Sequence, residues 1–119
     1  MNEEHVLEKT NRVNMLFDFY EPLLTEKQQT FLKCYFQDDF SLGEIAAEFG
    51  ISRQAVYEHI KRAEQTLGSY ESKLGLVAKY ERRKQLLDAL RDELNEIMGM
   101  PDPQRAELQK IIRELQALD

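Results

Sequence analysis

The sequence predicts an all-α fold, a helix-turn-helix bundle carrying a C-terminal helical extension or hairpin. Three observations carry this. Apolar residues recur at helical spacing from end to end, with no strand-like alternation of useful length. Only three Pro and five Gly punctuate the 119 residues, which leaves room for long helices, and a hydrophobic content of 42% supports a real core. Finally, Ser41 to Leu67, SLGEIAAEFGISRQAVYEHIKRAEQTL, spells a short helix, a tight turn and a second helix. The expected division is a helix-turn-helix domain over residues 1–75 and a helical hairpin over 76–119.

Residues 4–20 place Val6, Val13, Phe17 and Tyr20 on one stripe, with Leu16 beside it. Pro22 interrupts this helix, and Leu23 and Leu24 are expected to anchor the turn in the core. Thr25 and Gln28 form a capping box that opens a second helix through about Phe36, with Phe31, Leu32, Tyr35 and Phe36 as its apolar side. Asp38 and Asp39 break that helix. They lack the alternating spacing of a calcium loop and read as solvated.

Ser41 and Glu44 make another capping box for the first motif helix. That helix stops at Gly50, because a residue without Cβ takes the left-handed C-terminal position at little cost. Ser52 caps the second motif helix. Ala46 is small where the two backbones approach, and Ile45, Phe49, Ile51, Val56, Ile60 and Ala63 are expected to face inward. Gly68 and Gly75 bracket a stretch that either extends this helix or breaks it. From Leu76 onward, Leu76, Tyr80, Arg83, Leu87, Leu90, Leu94 and Ile97 alternate spacings of four and three, a heptad seam with one charged member. The run Gly99 to Pro103 stops that helix and starts another, with Leu108, Ile111, Ile112, Leu115 and Leu118 on one face. The two stripes suit a hairpin that folds back on its own chain or pairs with a second copy; a homodimer through these C-terminal helices is the expectation.

With Val56, Ile60 and Ala63 turned inward, Arg53, Gln54, Tyr57, Glu58 and Lys61 point outward, with Arg62 on the flank. The early residues of such a helix reach base edges in a DNA major groove. Arg53 can pair bidentately with guanine and Gln54 with adenine, while Lys61 and Arg62 suit phosphates. Ser52 can add a phosphate contact beside the first backbone amides. Tyr57 and Tyr70 can stack on bases or pack on the core. Glu58 repels phosphates unless it accepts from a cytosine amino group. The bland alternative is a solvated polar face.

Net charge is −6 with a pI near 5.0, whereas many nucleic-acid-binding domains are basic. The charge is unevenly spread. Residues 1–50 hold four basic against ten acidic side chains, but residues 53–84 hold eight basic against four acidic. A local basic face can act despite a distant acidic one, because salt screens charge over about 8 Å. Catalysis is not expected: there is no phosphate-cradling glycine loop, no nucleophile elbow and no metal-ligand spacing. No cofactor or metal is therefore expected. Cys34 is a single thiol without a disulfide partner, and His5 and His59 are far apart in sequence. The opening MNEEHVLEK is charged, and no apolar run reaches the ~20 residues of a membrane span, so a cytoplasmic protein without membrane insertion is expected.

The block from Leu24 to Leu67 resembles region 4 of bacterial sigma factors, in LTEKQQTFLKCYF and the motif that follows. That resemblance implies a supporting helix ahead of a promoter-reading helix-turn-helix, with Ser52, Arg53, Gln54, Tyr57 and Lys61 as the DNA-facing set. At 119 residues the chain is not expected to be a sigma factor itself, since the part that binds core polymerase and melts DNA would not fit. Over nearly its full length it is similar to the YlxM family of small bacterial helix-turn-helix proteins, through NRVNMLFDFYEPLLTEKQQ, SRQAVYEHIKRAE and YESKLGLVAKYERR. The resemblance implies a link to the signal recognition particle (SRP), from gene proximity to its GTPase Ffh. Two functions follow: a DNA-binding regulator, or an accessory factor contacting the SRP GTPase Ffh or SRP RNA without binding DNA.

Overall fold

The computed structural model describes residues 3–118. Six α-helices follow in order: α1 (Glu3–Tyr20), α2 (Glu26–Leu32), α3 (Leu42–Phe49), α4 (Arg53–Leu74), α5 (Leu76–Glu96) and α6 (Asp102–Ala117). A 3-10 turn, Glu21–Leu23, joins α1 to α2, and a π turn, Lys33–Gln37, extends α2. No strand forms among the described residues, so the all-α expectation holds. The chain divides into two compact units, Met1–Val77 and Ala78–Asp119. The charged opening that argues against a secretion signal includes Met1 and Asn2, which lie outside the described residues.

In the first unit, α1, α2 and α3 pack against α4. The core gathers Val13, Leu16, Phe17 and Tyr20 of α1, Phe31 and Leu32 of α2, Ile45 and Ala46 of α3, and Val56, Ile60, Ala63 and Leu67 of α4. The α1 stripe is buried only from Val13 onward, and Val6 is exposed. Leu24 enters the core after the Pro22 turn, whereas Leu23 stays outside.

Both capping boxes form. Thr25 Oγ1 accepts from the Gln28 amide at 3.2 Å, and the Thr25 amide donates to Gln28 Oε1 at 3.0 Å. At α3, the Ser41 and Glu44 exchanges are both 3.1 Å. The helix expected to run from Thr25 through Phe36 departs from α geometry at Lys33. A wider π turn changes which side chains face inward: Phe36 is buried, while its neighbour Tyr35 stands at the surface.

Gly50 closes α3 at φ 65°, and the Ile51 amide reaches back to the Ala46 carbonyl at 3.1 Å. Ser52 Oγ then accepts from the Ala55 amide at 3.0 Å, capping α4. The helix runs unbroken through Gly68 and ends where Gly75 turns left-handed at φ 63°. Space around Gly68 is open. Gly68→Ala is therefore expected to stabilise the protein by about 0.5–1 kcal/mol, since glycine inside a helix forfeits that much relative to alanine. Urea unfolding measures it; a lower midpoint would mean the position packs against something.

At the α4–α5 junction two of the amides that every helix start leaves unsatisfied are met by side chains. The Tyr20 hydroxyl accepts from the Leu76 amide at 3.1 Å and donates to Glu71 Oε1 at 2.5 Å. The Val77 amide donates to the same Glu71 oxygen at 3.0 Å. Burial, reinforced by the Glu71 carboxylate, pushes the Tyr20 phenol up and keeps it a donor. This clamp directs Val77 into the core and leaves Leu76, the expected first seam residue, at the surface.

In the second unit, Leu87 and Leu94 of α5 and Ile112 of α6 are buried. The Arg105 guanidinium donates to the Leu94 and Ile97 carbonyls at the C-terminal end of α5. Gln109 bonds Asn95 at 3.1 Å and Gln116 bonds Asp88 at 3.3 Å. Leu90 and Ile97, also expected in the seam, are about half exposed, as are Leu108, Ile111 and Leu115.

Candidate nucleic-acid interface

The α4 helix presents its N-terminal turns to solvent because its apolar residues all fall on the opposite side. Val56, Ile60, Ala63 and Leu67 are buried, and Ser52, Arg53, Gln54, Tyr57 and Arg62 are exposed, with Lys61 half-buried. At 3.6 residues per turn, Arg53, Tyr57 and Lys61 form one row and Gln54, Glu58 and Arg62 a second. Arg62 stands half a turn around the helix from Arg53. The structure thus gathers Arg53, Gln54, Tyr57 and Lys61 on one continuous surface and sets Arg62 apart on its far flank.

The cations differ in how far they are already compensated. Lys61 Nζ lies 3.7 Å from Glu64 Oε2, and Lys9 of α1 reaches the other oxygen of the same carboxylate at 3.4 Å. The Glu64 charge holds the Lys61 ammonium above its usual range. Lys61 Nζ also sits 5.7 Å from the centre of the Tyr57 ring. Gln54 Nε2 donates to Glu58 Oε1 at 3.4 Å, a bond it would have to give up to meet an adenine. The Arg53 side chain lies over Gly43 at the start of α3, where a Cβ would come within 3.6 Å of its Nε, an ordinary contact. Among the described residues no ion pair engages Arg53 or Arg62.

Lys27 stands near Arg62 on that far flank, a placement that no spacing along the chain shows. It lies in the first turn of α2, yet its charge and that of Arg62 both act on His59 of α4. Lys27 and Arg62 form a positive flank on either side of His59, across two helices distant in sequence. No ion pair among the described residues neutralises Lys27.

His59 itself is structural. Its ring stacks on Phe31 at 5.0 Å and 12°. Burial first, then Lys27 and Arg62, holds its pKa below the ordinary value, against a small opposing pull from Glu58. The unfolded chain therefore binds a proton that the folded chain resists. Stability is fully present above the unfolded value of about 6.5 and is lost as pH falls through the lower folded one. Urea midpoints should drop as pH falls below about 6.5, and His59→Gln should flatten that drop. An equal slope in the variant would assign the pH dependence elsewhere.

Among the described residues no group of three or more His, Cys, Asp or Glu side chains is arranged to hold a metal ion. No described helix is long and apolar enough to cross a membrane.

Comparison with known proteins agrees with this architecture. The model of the UPF0122 family, helix-turn-helix protein, YlxM / p13 like, matches residues 7–102, which include the whole of α2, α3 and α4. A UPF0122 protein of Geobacillus kaustophilus is 50% identical over 114 residues, 96% of this chain and 100% of its own. One from Exiguobacterium sibiricum is 62% identical over 85 residues, 71% of this chain and 80% of its own. One from Halalkalibacterium halodurans is 56% identical over 90 residues, 76% and 83% of the two chains. Likeness of this extent, spanning the capped α3–α4 pair and its supporting helices, makes the chain a member of the UPF0122 family of YlxM-like helix-turn-helix proteins.

Proposed function

We propose that this protein is a DNA-binding regulator that reads a duplex with the outward face of α4. The observation that carries the reading is the open N-terminal end of that helix. Ser52 caps it, and Arg53, Gln54 and Tyr57 stand exposed in its first turns, on the second helix of a helix-turn-helix pair. In that geometry those residues meet base edges. Arg62, with Lys27 behind it, suits the phosphates along one wall of the groove, and Lys61 those along the other. Its action is binding rather than catalysis, and its setting is the cytoplasm.

The internal pairs Gln54–Glu58 and Lys61–Glu64 set the strength of this binding. Each pair must open before its side chain meets DNA, which lowers affinity. A single copy is expected to bind weakly, so the reading includes a homodimer through the α5–α6 hairpin. Its support is the row of half-exposed Leu90, Ile97, Leu108, Ile111 and Leu115, and the two half-sites that paired recognition helices occupy.

The test is a gel shift of the full chain with genomic duplex fragments, single strands, SRP RNA and the SRP GTPase Ffh, at about 50 and 200 mM salt. The expected result is preference for duplex DNA and marked weakening at the higher salt. A-form RNA has a major groove too narrow for a helix. A shift confined to SRP RNA or Ffh would replace the regulator reading with the accessory-factor one.

A further inference from the structure

Two clefts of about 460 and 420 Å³ lie side by side in the first unit, and Phe40 lines both. The first is walled by Phe40, Ile45 and Phe49, with Glu44 and Glu48 of α3 at its rim. The second is walled by Val6 of α1 together with Tyr35, Phe36 and Phe40, with Asp39 at its rim. We infer that this pair of clefts is a docking surface for a basic amphipathic helix of a partner protein.

The backbone holds Phe40 out between the clefts. After the π turn, the Asp38 amide donates to the Lys33 carbonyl at 2.9 Å and the Phe40 amide to the Cys34 carbonyl at 3.0 Å. Asp39 takes φ 60°, the only left-handed residue other than glycine among those described. Asp is among the few residues with a Cβ that take this conformation readily. The turn leaves the Phe40 ring 45% exposed. Phe49 is 42% exposed on the far wall of the first cleft, although its helical spacing points it inward.

Charge selects the occupant. Exposed Glu44 and Glu48 line the first cleft and exposed Asp39 the second, and the Asp38 charge acts on Cys34 in the wall of the first. Their field reaches the half-buried Cys34 thiol, which burial first, then Asp38 and Glu48, holds protonated. The basic groups facing the second cleft are His5 and Lys9, and Lys9 is already paired with Glu64. A polyanion is repelled here. A helix that places apolar side chains in the two clefts, one or two turns apart, with Lys or Arg beside them, satisfies both the apolar walls and the acidic rim. The residues lining either cleft all lie outside α4, so this surface and the proposed DNA-reading face use different side chains, with Lys9 and Lys61 meeting only at Glu64.

The test uses the isotope-labelled full chain and three peptides of about five helical turns: a Leu/Lys amphipath, a Leu/Glu amphipath, and a Ser/Lys peptide of equal charge with no apolar face. Amide NMR shifts report the site. The Leu/Lys peptide is expected to move Cys34, Phe40 and Phe49 and to bind at least tenfold more tightly than either other peptide. Phe40→Ser and Glu48→Lys should each weaken it tenfold or more, and Arg53→Ala should leave it unchanged. Glu48 is exposed, so that variant decides the matter should Phe40→Ser unfold. The inference is overturned if the Ser/Lys or Leu/Glu peptide binds as well, if the shifts fall on α5 and α6, if Glu48→Lys has no effect, or if no peptide binds.

Discussion

Phe31→Ala is expected to destabilise the protein by about 3–5 kcal/mol, the range for emptying a buried aromatic site. Phe31 is 3% exposed and joins α2 to both motif helices. From α2 its ring meets Phe49 of α3 at 5.1 Å and His59 of α4 at 5.0 Å. Deleting it opens a cavity where α2, α3 and α4 converge. Domains of this size hold about 5–15 kcal/mol in total, so the loss would take a large share. Urea unfolding at neutral pH reads it directly. Loss of the stacked ring should also let the His59 pKa return toward its ordinary value, visible as a shift of the imidazole titration by NMR. A cost below about 1 kcal/mol would show that the site collapses and that the α2–α4 contact is not what supports the reading helix.

Arg53→Ala is expected to weaken duplex binding about ten- to hundredfold, the ~1–3 kcal/mol of a bidentate base contact, and to relax sequence preference at one base pair. Arg62→Ala should act differently. As a phosphate contact it should weaken all duplexes alike and reduce the slope of log affinity against log salt by about 1. Both side chains are exposed, so neither change should alter folding. The opposite sign is expected for Glu64→Gln, which releases Lys61 from its partner. Affinities of the three variants on one duplex, measured at two salt concentrations, separate base reading from phosphate contact. Equal effects from Arg53→Ala and Arg62→Ala would mean that the face supplies charge alone.

The parts of the fold that were legible in the sequence are those fixed by neighbours within one turn. Thr25 with Gln28, Ser41 with Glu44, Ser52 and Gly50 each act within three or four residues, so their spacing alone states the geometry. Inward positions on α4 were equally legible, because one helix face packs against three others. The remainder depends on contacts between distant segments. Val77 replaces Leu76 in the core because Tyr20 and Glu71 capture the first amides of α5, which no heptad count can show. Tyr35 leaves the apolar side while Phe36 stays in it because the π turn shifts the helical register after Lys33. The seam of α5 marks a stripe correctly, but α6 does not cover all of it, so Leu87 and Leu94 are buried while Leu90 and Ile97 stay open. At the candidate face, Arg53, Gln54 and Tyr57 could be read from the motif. Lys27 could not, since it comes from α2, and neither could the pairing of Lys61 with Glu64 and Lys9.

The α4 face is tested most directly by the salt dependence of duplex binding, followed by anisotropy of a labelled genomic fragment from about 50 to 200 mM salt. Phosphate contacts by Lys27, Lys61 and Arg62 should give each bound copy a log–log slope of about −3, with the duplex preferred over the single strand. Arg53→Ala should lower affinity while keeping that slope. Absence of duplex binding at the lowest salt, or an Arg53→Ala variant that binds as tightly as the native chain, would contradict a nucleic-acid-reading role for this helix.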